Sequence, residues 1–194
     1  MLTNEILMAL NNKTQVGGIF CYLANAFDCV NHEILLAKLR FYGVDGEALN
    51  WFSSYLSNRK QKVEVNSQYI NQCKSSLWGN IKHGVPQGSI LGPLLFLVYI
   101  NDLPFTIRNL SQSVLFADDT SVVVKSKDFE GLESRLNTVL NCMCEWFEAN
   151  KLSLNLEKTN VIKFQSYKSA NNKLCINNNG RFLEQTVNTK FLGL

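Results

Sequence analysis

Cysteine and histidine are few or wrongly spaced here, long apolar runs are missing, and each shortage removes a class of protein. The six cysteines stand at 21, 29, 73, 142, 144 and 175 with no C-x-x-C pair, and His32 and His83 form no cluster with them. Neither a structural zinc site nor a disulfide framework is signalled, so the cysteines read as reduced packing residues and the lone histidines receive no metal role. The longest apolar stretch, Ile90–Ile100, is broken by Gly92 and Pro93, well short of the ~20 residues that cross a bilayer. Met1–Gln15 lacks the basic start and apolar core of a secretory leader. An intracellular chain is expected, nuclear or cytoplasmic rather than secreted, with no membrane partner. Charge is modest as well: 19 Lys and Arg against 16 Asp and Glu leave a net +3, compatible with a polyanionic partner but not demanding one. No internal repeat or low-complexity linker is visible, although Ser166–Asn172 is loose and polar.

What is present is a chain of 194 residues, 46% hydrophobic and 18% charged, enough for one globular domain or slightly more. Apolar spacing predicts a short helix over Leu2–Leu10, a strand over Val16–Leu23 and helices over Asn31–Tyr42 and Gly46–Leu56. Lys62–Val65 and Tyr69–Trp78 read as strands joined by Asn66-Ser67-Gln68. Leu91–Leu103 reads as a buried helix ended by Pro104, and Asp128 as the N-cap of a long amphipathic helix reaching Asn150. A strand at Val161–Phe164 and an Asn179-Gly180 hairpin follow, and Thr189–Leu194 reads as a strand cut off by the end of the sequence. This order predicts an α+β fold with an antiparallel sheet and helices packed on one face.

The centre of the pattern is Val114–Val124, where Asp118-Asp119 separates two apolar, strand-forming runs without the glycine that usually accompanies a hairpin turn. Two ionised carboxylates 4 Å apart repel by roughly 4 kcal/mol at an effective dielectric near 20, which a bound cation would relieve. For Asp-Asp alone, an ordinary acidic turn is the favoured reading.

The flanking blocks decide. Gly84-Val85-Pro86-Gln87-Gly88-Ser89-Ile90-Leu91-Gly92-Pro93-Leu94-Leu95-Phe96, followed by Tyr99-Ile100-Asn101-Asp102-Leu103-Pro104, resembles motif B of the reverse transcriptases of non-LTR (LINE-like, jockey-type) retrotransposons. Phe116-Ala117-Asp118-Asp119-Thr120 is similar to motif C, Ala26–Leu36 to the second half of motif A, Leu152–Phe164 to motif D, and Lys190-Phe191-Leu192-Gly193 to the start of motif E. The likeness covers nearly the whole chain in order, with motif A in 16–36, B in 84–104, C in 114–124, D in 150–164 and E beginning in 189–194. It implies a polymerase palm, ferredoxin-like or RRM-like, with incomplete fingers and no thumb within this sequence. It implies an RNA template, a DNA primer and deoxynucleoside triphosphates as partners, two Mg²⁺ ions as cofactors, and nucleotidyl transfer to the primer 3′ hydroxyl. Oligomeric state is left open.

Carried over position by position, the resemblance makes Asp118 and Asp119 metal ligands, Lys158 the donor of a proton to departing pyrophosphate, and Ala26, Phe27 and Gln87 nucleotide-binding residues. A core aromatic accounts for Phe27 equally well, and a solvated surface lysine nearly as well for Lys158. Gln87 favours function, because a buried Gly-Pro loop has little packing reason to carry an amide. Arg59, Lys60 and Lys62 are either contacts for template phosphates or a solvated helix end. One position departs sharply. The motif A aspartate precedes the Asp of Ala-Phe-Asp by six residues, and counting back from Asp28 gives Tyr22. A phenol stays neutral near pH 7 and cannot bridge two cations as a carboxylate does. Asp28 lies beyond the strand and is no obvious substitute, and Ala24 and Asn25 replace the usual Ser and Lys. Impaired catalysis is therefore expected. A non-catalytic nucleic-acid-binding palm and an element relic without function are the alternatives.

Overall fold

The structure, a computed structural model, describes residues 2–67, 72–165, 172–178 and 180–188. In chain order the elements are α1 (Leu2–Asn11), β1 (Gln15–Ala24), α2 (His32–Phe41), α3 (Gly46–Leu56), β2 (Lys60–Gln61), β3 (Glu64–Ser67), β4 (Gln72–Ser75) and β5 (Gly79–Asn80). They continue with α4 (Leu91–Ile100), α5 (Leu103–Ile107), β6 (Gln112–Phe116), β7 (Asp119–Ser126), α6 (Phe129–Ala149), β8 (Ser153–Leu154) and β9 (Asn160–Phe164). The last are β10 (Asn177–Asn178), β11 (Arg181–Phe182) and β12 (Glu184–Gln185). Two compact units emerge, one from Met1–Ala26 with Ile100–Leu194 and the other from Phe27–Tyr99.

The first unit is built on a sheet of order β12-β9-β1-β7-β6, with β8 also paired to β1. β1 lies between β7 and β9 and is buried along almost its whole length, which explains its unbroken apolar run Gly-Gly-Ile-Phe-Cys. Pairing is antiparallel except at the edge, where β12 runs parallel to β9. Behind the sheet lies α6, capped by Asp128, whose Oδ1 accepts from Gly131 N at 2.6 Å. Its stripe of Leu132, Leu136, Val139, Leu140, Met143, Trp146 and Phe147 is buried as the periodicity predicts, each such side chain contributing about 1.5–3 kcal/mol. Phe129 instead is half-buried beneath Lys163, whose Nζ stands 4.8 Å from the ring centroid. Gly17 lets helix and strand close up, since a Cβ there would lie 2.8 Å from Leu136 Cδ1.

Layering differs from the expectation in one respect. α5 and α6 pack together on one side, but Ala9, Ile6 and Leu10 of α1 cluster with Val16, Val123, Val114 and Phe164. Strand alternation puts Val16 and Val123 on the face opposite Gly17, so α1 covers part of the other face, at the end of β1 remote from Tyr22.

In the second unit, α2 is capped by Asn31 Oδ1, which accepts from Ile34 N at 3.0 Å, and ends at Gly43 with φ of 90°. α3 begins after Asp45, whose Oδ1 accepts from Gly46 N at 2.7 Å. Leu35, Leu95, Phe96 and Tyr99 are fully buried, and Lys38 Nζ donates to the Tyr99 carbonyl at 2.6 Å.

Three expectations change. The ladder predicted from Lys62–Val65 and Tyr69–Trp78 forms instead between β3 and β4, and residues 68–71 lie outside the described residues. Val63, Val65, Leu77 and Trp78 are exposed, so no covered face marks where these strands begin or end. Pro104 does not end a helix. α4 stops at Ile100, and Pro104 sits in the first turn of the separate α5, where its missing N–H costs nothing. Cys73 and Cys175 are exposed rather than packed, while Cys21 is buried. The Asn-Gly hairpin is present as the β10–β11 pair with Gly180 at φ of 85°. Asn179 and the strand expected over Thr189–Leu194 lie outside the described residues. Among those residues, no helix is long and apolar enough to cross a membrane.

Candidate active site

The acidic hairpin joins β6 to β7. Phe116 and Asp119 form the closing pair, leaving Ala117 and Asp118 as a two-residue turn. The sequence lacks a glycine here, and Ala117 takes the left-handed conformation itself, with φ of 51°, at a cost of about 1–2 kcal/mol. The two acids are therefore not equivalent: Asp118 rides on the turn, and Asp119 is the first residue of a sheet strand.

Asp119 is the register partner of Tyr22 on β1. Directly opposed residues of an antiparallel pair project from the same face with Cβ atoms about 4.5–5.5 Å apart, so the phenol and the carboxylate share one side of the sheet. That side is opposite α6. The Asp119 carboxyl is held above its ordinary range, first by burial and second by the neighbouring charge of Asp118.

Tyr22 is fixed from its other edge as well. Its carbonyl accepts from Asn155 N at 2.8 Å and its N–H donates to Thr159 Oγ1 at 3.4 Å. Asn155 Oδ1 in turn accepts from Lys158 N at 3.2 Å, and the Thr159 hydroxyl donates to the Asn155 carbonyl at 2.7 Å. This Asx-type turn explains the residue types at 155 and 159, and it carries Lys158, exposed, next to the backbone of Tyr22. β8 adds the pairs Leu23–Leu154 and Ala24–Ser153. Tyr22, Asp118 and Asp119 thus stand at one end of the β1–β7 ladder, Lys158 lies on a turn tied to the Tyr22 backbone, and Ala26 is buried.

Phe27 and Gln87 belong to the second unit. Phe27 is half-buried and packs on Phe96 with ring centroids 4.8 Å apart. Gly84 and Val85 are buried but Gln87 is exposed, which corrects the expectation of a wholly buried loop. Its amide Nε2 donates to Asp28 Oδ1 at 2.8 Å. Around it opens a cleft of about 540 Å³, lined among others by Asp28, Arg59, Lys82, His83, Pro86 and Gln87. Of the three basic residues singled out in the sequence, only Arg59 reaches this cleft. Lys62 pairs with Glu64 and lies over Trp78, and Lys60 is exposed on β2. No signal in the sequence marked Lys82, His83 received no role, and Asp28 came forward only as a substitute metal ligand, which its place beyond the strand argued against. Asp28 is the acid of the Ala-Phe-Asp block itself.

The donor set does not complete a two-Mg²⁺ centre. Mg²⁺ asks for hard oxygen ligands in near-octahedral array, and a metal pair needs carboxylates from both strands. Here β7 and its turn offer two, while β1 offers a phenol in the opposing position. Among the described residues, no group of three or more His, Cys, Asp or Glu is placed to hold an ion.

A mostly antiparallel sheet backed by helices, with an acidic hairpin at the end of the face opposite α6, has the architecture of a polymerase palm. Residues 4–194 match the family described as reverse transcriptase (RNA-dependent DNA polymerase), and the chain belongs to that family. It is 30% identical to the RNA-directed DNA polymerase from mobile element jockey of Drosophila melanogaster, and 29% identical to the probable RNA-directed DNA polymerase from transposon BS of the same fly. Both alignments take in 100% of this chain and 21% of the relative, so the chain spans about a fifth of their length. These relatives place it on the non-LTR, jockey-like branch. In fold it resembles apo telomerase from Candida tropicalis truncated from its C-terminal domain, with a TM-score of 0.57 at 16% identity over 87% of this chain and 36% of that one.

Proposed function

We propose that this chain is the palm-centred part of an RNA-directed DNA polymerase that keeps surfaces for template, primer and nucleotide but is impaired in chemistry. The observation that carries the reading is the register pair Tyr22–Asp119, which puts a phenol where the resemblance calls for the second metal-binding carboxylate. Template is RNA and primer DNA, by analogy with the relatives. Motifs A to D correspond to β1 with the turn after it, the Gly84–Ser89 loop with α4, the β6–β7 hairpin, and the Asn155–Thr159 turn with β9.

Asp118 and Asp119 are the residues that would hold Mg²⁺, which when bound supplies charge neutralisation at the phosphates. Within the protein itself, Phe27 supports the nucleotide sugar, Ala26 faces the triphosphate through its backbone, Gln87 meets the base pair being formed, and Lys158 offers a proton on an exposed turn. Each role rests on position within the resemblance.

The test is primer extension on an RNA template with Mg²⁺, run beside fluorescence anisotropy of the same labelled hybrid. Binding that weakens as salt rises is expected, with no extension product. Robust extension by the unmodified chain contradicts the impairment, and absence of binding at every salt concentration contradicts the nucleic-acid reading.

A further inference from the structure

The Gly84–Ser89 loop and the turn after β1 are joined by more than chain proximity. Val85 N donates to the Phe27 carbonyl at 2.8 Å and Gly84 N to the Val30 carbonyl at 2.7 Å. His83 Nδ1 donates to the Asp28 carbonyl, and His32 Nε2 to the Gly84 carbonyl, each at 2.8 Å. Gly84 is pressed so close that a Cβ would lie 2.9 Å from the Asp28 carbonyl oxygen. Asp28 is the hub of this junction, because its carbonyl holds His83 while its carboxylate holds the Gln87 amide.

That last contact fixes an orientation. An ionised carboxylate only accepts hydrogen bonds, so the nitrogen end of Gln87 must face Asp28. The carbonyl Oε1 and one remaining N–H are then turned away from Asp28, in a cleft that also presents Arg59 and Lys82. A free glutamine amide offers either end to a ligand with equal ease. A tethered one presents its acceptor consistently and loses less rotamer entropy on binding.

We infer that Asp28 is a positioning residue that orients the Gln87 amide, so that its Oε1 accepts from a hydroxyl or amino group of a nucleic-acid ligand in the cleft. The inference rests on the proposed function for its ligand class, while the orientation itself stands on the hydrogen-bond geometry. It gives Asp28 a role other than replacing the missing metal ligand at Tyr22.

Two measurements on the whole chain test it. In the first, side-chain amide resonances are compared between the parent, Asp28→Ala and Asp28→Asn by ¹⁵N-edited NMR, with backbone dispersion reporting on the fold. The Gln87 amide pair is expected to move to free-glutamine shifts in Asp28→Ala and to stay near the parent position in Asp28→Asn, which keeps an acceptor. In the second, anisotropy with a dideoxy-terminated DNA primer on an RNA template, plus the next complementary deoxynucleoside triphosphate, is run through a double-mutant cycle. Asp28→Ala is expected to weaken binding on the order of fivefold in the parent background and to have no further effect in Gln87→Ala. An unshifted Gln87 amide in Asp28→Ala overturns the orientation, whatever binds. An equal loss in both backgrounds overturns the positioning role. Failure of the parent to bind, with the amide shift present, overturns the nucleic-acid reading and supports the orientation.

Discussion

Tyr22 stands directly across the β1–β7 ladder from Asp119, which immediately follows the turn that carries Asp118. Asp119 faces Phe116 on its other side, so the carboxylate has apolar and aromatic neighbours on both flanking strands. Burial first, and then the like charge of Asp118, raise its titration. Several measurable properties of the hairpin follow from that arrangement.

Replacing Asp119 by Asn should raise the melting temperature at neutral pH. An acid whose pKa is raised on folding binds more protons folded than unfolded, so its contribution to stability falls as pH rises through the window between the two values. Above both values the unfavourable charge is fully present. The advantage of Asp119→Asn should therefore be largest there and should shrink as pH is lowered through the carboxylate range in a calorimetric series. An advantage that grows on acidification contradicts the raised titration.

Ala117 reports on strain in the turn. Ala117→Val, which puts a β-branched side chain at φ of 51°, is expected to lower stability by about 1–2 kcal/mol. Ala117→Gly should be neutral or stabilising, because the conformation then carries no Cβ clash. Urea midpoints of the two variants against the parent measure the difference.

Gly84 combines a left-handed backbone, φ of 88°, with a Cβ position 2.9 Å from a main-chain oxygen. No side-chain rotation relieves that contact. Gly84→Ala should cost about 2 kcal/mol or more and should disturb the amide signals of Asp28 and Gln87. Gly88→Ala has a similar φ of 83° but nothing within 4 Å of the added atom, and it should cost less in the same denaturation assay.

Thiol labelling distinguishes buried from exposed cysteines. Cys73 and Cys175 are exposed and should react first with a maleimide under native conditions. Cys21 is buried and its thiol is pushed well above the ordinary range by that burial, so it should label only on unfolding. Peptide mapping of the labelled protein identifies each site, and rapid labelling of Cys21 would contradict the central position of β1.

The parts that were legible in the sequence are those where pattern and burial coincide. α6 could be read from its stripe because the apolar positions Leu132, Leu136, Val139, Leu140, Met143, Trp146 and Phe147 are all buried, and β1 because a strand flanked on both sides needs no polar alternation. Its pairing with β7 could not be read, yet it is the register that brings Tyr22 to Asp119. The β3–β4 ribbon was misplaced because neither of its faces is covered, so hydropathy carries no information about its ends. Pro104 was misread because the same residue that terminates one helix also begins another. Asp28 could be weighed only as a metal ligand, since its contact with Gln87 depends on a loop 59 residues away in sequence, a relation that local spacing cannot express.

The central claim is that a phenol at position 22 leaves the metal centre one carboxylate short. The most direct measurement is the shift in melting temperature of the parent and of Tyr22→Asp on titration with Mg²⁺. Ligand that binds only the folded state stabilises it by RT ln(1 + [L]/Kd), about 1.4 kcal/mol at ten times the Kd. Tyr22→Asp should be less stable than the parent without metal, because three carboxylates then meet, and should gain stability steeply as Mg²⁺ is added, while the parent gains little. Equal stabilisation of the two proteins by Mg²⁺ would contradict the account.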